Sequence, residues 1–596
     1  MRATYRLQLG PGLTFEHVRR LVPYLRDLGV SHLYLSPVLE ARPGSTHGYD
    51  VIDPARVSEV LGGEAVLRAL AADARAAGLG IVLDVVPNHM AAEARALHPE
   101  WFDTDPETNF TRRFFDIDDL LGIRVEDPDV FAATHALVLG LVQEGVVEGL
   151  RVDHPDGLAD PLAYLRRLAD AGVERIWVEK ILDPGERLRS EWPVCGTTGY
   201  EFLNDVIGVF VDEAFDWPRE FGDVALEAKR EMVARTFTRE VEWLERLWPD
   251  APGDIAASLC ALPVYRTYID ERGPSAEDLA VLREAGVEWI ASGPPEFVRR
   301  WQQTTPPVMA KGVEDTAFYR HARLLALNDV GGDPGRFGIS VAELHAANVA
   351  RASDWPLAMT TVQTHDAKRS ADVRARLAAL TWVADEWEAL CESVLPSAPD
   401  RDEGMFFLQT VVAAPVGEER LRAYVEKALR ERKLSSSWAS PDVRYERHVG
   451  DWVVGQLGSE EVRAFAARLA EVAVPIILGQ KLLQLTAPGV PDVYQGDEDD
   501  FVALVDPDNR RPVDWDALAR SSSKKAVLTR AALAVRPAGS ADYAPVEAED
   551  VVAYVHGDVF VAVAVRPGAA LPEAPGSGWT ERFAAPGMVL ASRERR

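Results

Sequence analysis

The chain has 596 residues, enough to bury the core of a large enzyme domain and that of a smaller domain beside it. Its formal net charge of -30 argues against nucleic acid or an anionic membrane as the main partner, because both select a basic surface. A neutral substrate such as a sugar is compatible with this charge. The sequence shows neither the apolar core of a signal peptide at its start nor an apolar run of roughly 18 residues that could span a membrane, so we expect a cytoplasmic protein.

The first predicted elements alternate between helix and buried strand. Residues 14–28 carry apolar side chains at helical spacing and stop at Gly29, a favourable residue for ending a helix. A strand is predicted next, over residues 31–36. The pattern repeats with a helix over about 64–77 and an apolar run over 81–86. Such alternation predicts a parallel sheet with helices between its strands.

Three later apolar runs each end in a carboxylate, at Asp153, Glu179 and Asp366. A carboxylate at the end of a buried strand is costly unless it has partners or chemistry to perform. A helix is predicted between Asp153 and Glu179, and the spacing fits one strand and helix unit. Both carboxylates would then lie on the same rim, where barrels and open α/β sheets keep their active sites.

Two segments, at about residues 205–300 and 372–470, are too long for a single unit of one strand and one helix. We interpret both as helical insertions. After about residue 516, one helix and two apolar runs predict a small domain containing a β-hairpin. The predicted organisation is a catalytic region over 1–515, with a short insertion at 90–125 and helical insertions at about 205–300 and 372–470, and a C-terminal helix with a small β domain over 516–596.

The residues next to the first two carboxylates suggest different roles for them. Arg151 shares a strand face with Asp153 and would keep that carboxylate ionised, as a nucleophile requires. The apolar neighbours Trp177 and Val178 would favour a protonated Glu179, as a general acid requires. One anion and one acid form the pair that cleaves glycosidic bonds.

Other polar and aromatic residues would complete a sugar site. Asp366, beside His365, could hold sugar hydroxyls, and the rings of Tyr49 and His89 suit the apolar face of a sugar. Taken singly, a strand-end aspartate is more often a helix cap, and a lone histidine is more often structural. Only the combination predicts a catalytic site.

Four short segments in this order resemble the signature regions of the α-amylase superfamily, glycoside hydrolase family 13: Asp84–His89, Arg151–His154, Glu179 and His365–Asp366. The resemblance implies an α/β fold of the (β/α)8 TIM-barrel type and a retaining mechanism. In that mechanism Asp153 would be the nucleophile, Glu179 the acid/base and Asp366 the transition-state stabiliser. The residues implied to line the sugar subsite are Tyr49, Asp50, His89, Arg151, His154 and His365.

Longer segments are similar to the family of maltooligosyltrehalose synthases, and this likeness runs from residue 3 to about 515. These segments are 3–8, 149–161, 197–204, 311–320, 365–376 and 488–512. The resemblance implies conversion of the reducing-end α-1,4 linkage of a maltooligosaccharide into an α,α-1,1 linkage. It implies no cofactor, and a functional pairing with a maltooligosyltrehalose trehalohydrolase. The candidates for a pocket that retains the freed glucose are Lys311, Lys433, Ser435 to Ser437 and Trp438; singly, Lys311 could be a surface lysine and Trp438 a core residue.

The sequence departs from typical synthases in two places. The region from Met90 to Phe115 is much shorter, and Ser435 to Ser437 replace the His-Thr-Ser expected before Trp438. Either change could admit water, so an α-glucan hydrolase of the α-amylase type is the first alternative function and a catalytically silent glucan-binding barrel is the second. Asn88 stands where some amylases place a calcium ligand, but the short region offers no companion ligands, so no obligatory metal is predicted.

Overall fold

The computed structural model describes residues 1–212, 220–537 and 542–593. Parts of the predicted insertion at 205–300 and of the predicted C-terminal region 516–596 therefore lie outside the described residues. The chain divides into two compact units. Unit A consists of Thr4–Thr198 and Ala225–Val313, and unit B consists of Met1–Ala3, Gly199–Val224 and Glu314–Arg596. The division at residue 515 remains a prediction.

The strands form both parallel and antiparallel sheets. They are β1 (Thr4–Leu7), β2 (His32–Leu35), β3 (Leu39–Ala41), β4 (Val51–Val57), β5 (Gly80–Val85), β6 (His89–Ala91), β7 (Arg113–Phe114), β8 (Ile117–Gly122), β9 (Gly149–Val152), β10 (Ile176–Val178), β11 (Gly196–Thr197), β12 (Met359–Thr360), β13 (Val490–Tyr494), β14 (Tyr543–Pro545), β15 (Val551–His556), β16 (Val559–Ala564), β17 (Thr580–Ala585) and β18 (Met588–Ser592). In unit A the parallel strands are ordered β11-β10-β9-β5-β2-β1. In unit B, β12 and β13 pair in parallel.

Helices connect and flank these strands. They are α1 (Phe15–Leu28), α2 (Gly63–Ala76), α3 (Pro128–Gln143), α4 (Pro161–Asp170), α5 (Tyr200–Gly208), α6 (Phe221–Arg235), α7 (Thr238–Leu247), α8 (Ile255–Ala261), α9 (Ala276–Glu284), α10 (Pro295–Met309), α11 (Phe318–Arg320), α12 (Val341–Asp354), α13 (Ala371–Ala379), α14 (Ala384–Val394), α15 (Arg401–Ala413), α16 (Glu418–Arg432), α17 (Val443–Gly458), α18 (Glu460–Thr486), α19 (Trp515–Arg520) and α20 (Lys524–Val535). A π-helical segment, Ala310–Ala317, follows α10. No helix in the described ranges is both long and apolar enough to cross a membrane.

The predicted first helix and strand form as expected. In α1 the apolar positions Phe15, Val18, Val22 and Leu25 are buried, and the chain leaves the helix at Gly29 with φ 102°. Glycine adopts this left-handed conformation without steric cost, so the helix ends there. Strand β2 begins three residues later and pairs with β1 and β5.

Helices α6 to α10 surround a hydrophobic core of their own inside unit A. Phe237, Leu259, Leu282 and Trp301 are buried at its centre. Helices α6 to α9 lie within residues 205–300, the region predicted as the first helical insertion, and α10 begins there and extends beyond it.

The short region after the third parallel strand, β5, contains a small antiparallel sheet, ordered β6-β8-β7. Arg113 ties this sheet to α7: its Nε lies 3.0 Å from Glu240 Oε1, its Nη2 lies 3.1 Å from Glu240 Oε2, and both side chains are almost fully buried.

The C-terminal part of unit B contains the predicted hairpin. Strands β15 and β16 pair from Val551–Ala564 to His556–Val559, within an antiparallel sheet ordered β14-β15-β16-β18-β17.

Candidate active site

Asp153 and Glu179 occupy equivalent positions at the ends of neighbouring parallel strands. Strand β9 ends at Val152 and β10 ends at Val178, and these two residues are partners in the strand register. The backbone N–H of Asp153 donates to Val85 O, and that of Glu179 donates to Val152 O, both at 2.9 Å. Strand pairing therefore sets both carboxylates at one edge of the sheet.

Arg151 contacts both of these carboxylates. Its Nη1 donates to Asp153 Oδ1 at 2.6 Å and to Asp84 Oδ1 at 2.8 Å, and its Nη2 lies 3.4 Å from Glu179 Oε1. Burial by itself would lower the pKa of Arg151, but the negative charge of Asp84 holds that pKa well above its usual value. The guanidinium is therefore a permanent positive charge between the two carboxylates.

A second arginine and a tyrosine share Asp84 with Arg151. Asp84 Oδ2 accepts from Arg6 Nη2 at 2.7 Å and from the Tyr49 hydroxyl at 2.6 Å. Burial and the charge of Asp84 raise the pKa of Tyr49 well above its usual value, so its hydroxyl keeps its proton. The sequence analysis placed Arg6 and Asp84 in segments that carry the family resemblance but assigned neither of them a role in the site. The available signal was a charged residue inside each of the apolar strands β1 and β5.

Two histidines beside the carboxylates are neutral at physiological pH. Burial lowers the pKa of His154 to about 4. Burial, with the positive charge of Arg112 adding to it, lowers the pKa of His89 to about 3. The backbone N–H of His154 donates to Glu179 Oε2 at 2.9 Å. Neutral imidazole rings can both donate and accept hydrogen bonds, as sugar hydroxyls require.

Aromatic rings surround these histidines. Phe114 stacks on His89 with ring centroids 4.0 Å apart, and Phe115 stacks on Phe114 at 4.1 Å. Both phenylalanines meet the His154 ring edge to face, at 5.5 Å and 5.2 Å. The sequence analysis did not single out either phenylalanine, since two adjacent aromatic residues in a short loop carry no catalytic pattern.

Two further predicted residues of unit A make other contacts. Asp50 is buried and accepts a hydrogen bond from Ser45, within the turn that carries Tyr49. Lys311 pairs with Asp116, with its Nζ 3.0 Å from Asp116 Oδ1. Asp50 therefore shapes the turn before β4, and Lys311 holds the turn between β7 and β8.

Asp366 lies in unit B with polar neighbours. Its Oδ2 accepts from the Tyr200 hydroxyl at 3.1 Å and lies 3.2 Å from His365 Nε2, and its side chain is 43% exposed. Asp329 fixes the loop that follows, because it accepts from the backbone N–H of Lys368 at 2.9 Å and pairs with Arg374 at 3.0 Å. The carboxylate is thus held on a rigid loop while remaining accessible.

Lys433 and Trp438 are also residues of unit B, and both contact Glu431. Lys433 Nζ donates to Thr316 Oγ1 at 2.9 Å and lies 3.3 Å from Glu431 Oε2. Trp438 Nε1 donates to Glu431 Oε1 at 3.1 Å, and its ring is 55% exposed. An exposed indole beside a lysine is a surface that could cover a sugar ring.

The side chain of Asn88 is bound by the guanidinium group of Arg112. Arg112 Nη1 donates to Asn88 Oδ1 at 2.8 Å and its Nε lies 3.0 Å from Asp103 Oδ2. In the part of the chain that the structure describes, there is no group of three or more histidine, cysteine or acidic side chains that could hold a metal ion. The absence of an obligatory metal remains a prediction.

The sequence matches one known family and is similar to a known protein over most of its length. The family "Alpha amylase, catalytic domain" matches residues 16–130. A putative maltooligosyl trehalose synthase of Mycobacterium tuberculosis is 37% identical over 646 aligned positions, which cover 86% of this chain and 84% of that protein.

Two solved structures are similar over the whole chain. The maltooligosyltrehalose synthase from Arthrobacter ramosus has a TM-score of 0.90 at 31% identity, covering 99% of this chain and 100% of that one. A hypothetical maltooligosyl trehalose synthase from Sulfolobus tokodaii has a TM-score of 0.90 at 29% identity, with 100% of each chain covered. The predicted fold class, a (β/α)8 TIM barrel with helical insertions and a small C-terminal β domain, is confirmed. The chain belongs to the maltooligosyltrehalose synthase family, within the α-amylase superfamily.

Proposed function

We propose that this protein rearranges the reducing end of maltooligosaccharides, converting the last α-1,4 linkage into an α,α-1,1 linkage. Family membership supports the overall reaction. One observation carries the chemistry: Asp153 and Glu179 end neighbouring parallel strands and share Arg151. Neighbouring strands lie about 4.8 Å apart, close to the roughly 5–5.5 Å between the carboxyl groups of a retaining pair.

In the first half-reaction Asp153 attacks C1 of the penultimate glucose. Glu179 donates its proton to the glycosidic oxygen, the bond between C1 and that oxygen breaks, and the terminal glucose is released beside a covalent glycosyl ester. Asp366, supported by His365 and Tyr200, would bind sugar hydroxyls and stabilise the oxocarbenium-like transition state.

In the second half-reaction the released glucose becomes the nucleophile. Formation of the ester removes the charge of Asp153, so the positive charge of Arg151 is left facing Asp84 and Glu179 and favours an ionised Glu179. Glu179 then takes the proton of the glucose C1 hydroxyl, whose oxygen attacks the anomeric carbon C1 of the glycosyl ester. The bond between that carbon and the Asp153 oxygen breaks, and the Asp153 carboxylate is released. The product is an isomer of the substrate, and no water is consumed.

Water, at roughly 55 M, competes with this glucose, so the glucose must be held in a pocket from which water is excluded. Lys311, Lys433 and Trp438 remain proposed members of that pocket. Their support is chemical: the ammonium groups can bind hydroxyls, and the exposed Trp438 ring can cover an apolar sugar face.

The reaction outcome distinguishes this function from its alternatives. Purified protein is incubated with maltopentaose while reducing ends and product sizes are followed together. We expect reducing power to fall at constant chain length. A gain of reducing ends with shorter products would instead identify an α-glucan hydrolase, and no change would identify a silent barrel.

The role of Asp153 has its own test. The Asp153→Asn variant removes the nucleophilic charge and should lower the rate by about 10³-fold or more while the protein stays folded. Asp27→Asn, at an exposed aspartate of α1, is the matched control and should keep wild-type activity. A folded Asp153→Asn variant with substantial activity contradicts the assignment.

A product with an α,α-1,1 linkage at its end would need a second enzyme to release trehalose. We therefore propose a functional pairing with a maltooligosyltrehalose trehalohydrolase in the cytoplasm. Adding such a hydrolase to the maltopentaose reaction should liberate trehalose, whereas neither enzyme alone should do so.

A further inference from the structure

The turn between β7 and β8 holds a bulky residue in a strained backbone conformation. Phe115 has φ +53°, in the left-handed region where a Cβ atom crowds the backbone. Conformations of this kind persist only where the surroundings enforce them, and they are concentrated at active sites and ligand clamps. The turn is therefore a place to look for a ligand contact.

Contacts on both sides fix the strained turn. On one side Phe115 stacks on Phe114, which in turn stacks on His89. On the other side Asp116, the next residue, pairs with Lys311, whose Nζ lies 5.9 Å from the centre of the Phe115 ring. The aromatic pair is held by an ion pair and by ring stacking.

Phe115 contacts a residue that binds the acid/base carboxylate Glu179. Its ring meets the ring of His154, and the backbone N–H of His154 binds Glu179. Phe115 and Ile181, two residues beyond Glu179, pack against the same small core of Tyr265, Met309 and Ala310. Phe115 is thus connected to Glu179 through His154 and through the core that it shares with Ile181.

Both phenylalanine rings are only half-buried. A flat apolar ring with an accessible face is the side chain that packs against the apolar face of a glucose ring. The turn thus combines a strained backbone, a fixed pair of rings and open aromatic surface beside the acid/base residue.

We propose that Phe114 and Phe115 form the aromatic wall of the pocket that retains the released glucose, and that Phe115 sets the ratio of transfer to hydrolysis. This inference rests on the proposed function. The ring of Phe115 covers the apolar face of the glucose and occupies space that water would otherwise fill. The short region after β5, which the sequence suggested would leave the cleft more open, supplies this wall itself.

The test separates loss of the ring from loss of the fold. Phe115→Gly removes the ring and also removes the strain, because glycine adopts φ +53° freely. Phe115→Leu keeps apolar volume without a flat face. Phe115→Tyr keeps the flat ring. Phe110→Ala is the matched control, since Phe110 is a half-buried aromatic residue of the same region that packs against Trp243.

Each variant is incubated with maltopentaose, and the non-reducing isomer is measured against released glucose. We expect Phe115→Gly to lower the ratio of transfer to hydrolysis by about tenfold or more and Phe115→Leu by about threefold or more, while Phe115→Tyr and Phe110→Ala stay within about twofold of wild type. A purely structural role would lower both products together and leave their ratio unchanged.

Two outcomes overturn the inference. An unchanged ratio of transfer to hydrolysis in both Phe115→Gly and Phe115→Leu rejects it, whether or not the total activity falls, and leaves the proposed function intact. A wild-type enzyme that releases glucose without forming the isomer rejects the proposed function, and the inference with it.

Discussion

Asp84 is the buried counterion that two arginines of the site share. Two buried arginines, Arg6 and Arg151, both donate to it, and its side chain is fully buried. Asp153 accepts a hydrogen bond from Arg151, and its side chain is 9% exposed. Removing the charge of Asp84 leaves both guanidinium groups short of a buried counterion, whereas removing that of Asp153 leaves the pair of Arg151 and Asp84 in place.

The same substitution should therefore have different effects at the two positions. Asp84→Asn should lower the free energy of unfolding by about 3–5 kcal/mol, the cost of breaking a buried ion pair from one side. Asp153→Asn should lower it by less than about 1.5 kcal/mol. Urea unfolding followed by circular dichroism measures both values, and equal losses would contradict this account.

The sequence predicted one part of this site and not the other. Asp153 and Glu179 were predictable because each directly ends an apolar strand, a pattern visible within five residues. The partnership of Arg6 with Asp84 joins residues 78 positions apart, and a charged residue inside a strand does not reveal its partner. For the same reason the pairing of Lys311 with Asp116 was not foreseen.

Among the elements, the small sheet β6-β8-β7 is tied to α7 by a buried long-range ion pair. Arg113, at the start of β7, pairs with Glu240 of α7, and its Nη2 donates to Thr236 O at 3.0 Å. Because both charged groups are nearly buried, either one left alone would be a buried charge without its counterion.

A double-mutant cycle tests this connection. Arg113→Met should lower the free energy of unfolding by about 3–5 kcal/mol, because it leaves Glu240 buried and unpaired. Arg113→Met combined with Glu240→Leu should recover most of that loss, since two apolar side chains of similar volume replace the pair. Thermal unfolding of the single variants and the double variant supplies the measurement. Additive losses would show that the pair is not coupled.

Elements with local signals were predictable, and this sheet was not. Helix α1 follows from apolar spacing and a glycine cap, and the hairpin of β15 and β16 follows from two apolar runs joined by a short turn. Strand β7 contains only Arg113 and Phe114, and the carboxylate that holds it lies 127 residues away. The short region from Met90 to Phe115 therefore contains more order than its sequence indicates.

On the scale of the whole molecule, buried histidines give unit A a dependence on pH. Burial, as the largest cause, lowers the pKa of His32, His135 and His154 to about 4 and that of His89 to about 3. An unfolded histidine has a pKa near 6.5. Between about pH 6.5 and pH 4 the unfolded chain therefore binds protons that the folded chain does not bind.

The sign of the effect follows from this difference in bound protons. The free energy of unfolding rises with pH wherever the unfolded state binds more protons, so the stability is fully present above pH 6.5 and is lost as the pH falls toward 4. Each histidine contributes a slope of up to about 1.4 kcal/mol per pH unit in this window.

His135 allows this dependence to be measured away from the proposed active site. His135 is a buried residue of α3 whose ring lies 2.8 Å from the Tyr164 hydroxyl, so His135→Asn should reduce proton uptake on unfolding at pH 5.2 by about one proton. Calorimetric unfolding in buffers of different ionisation enthalpy measures that uptake directly. His448→Asn, at an exposed histidine of α17, is the matched control for replacing a histidine at the surface. If proton uptake is the same in His135→Asn and in the wild type, the prediction is wrong. The folded protein would then bind a proton at His135 as readily as the unfolded chain does.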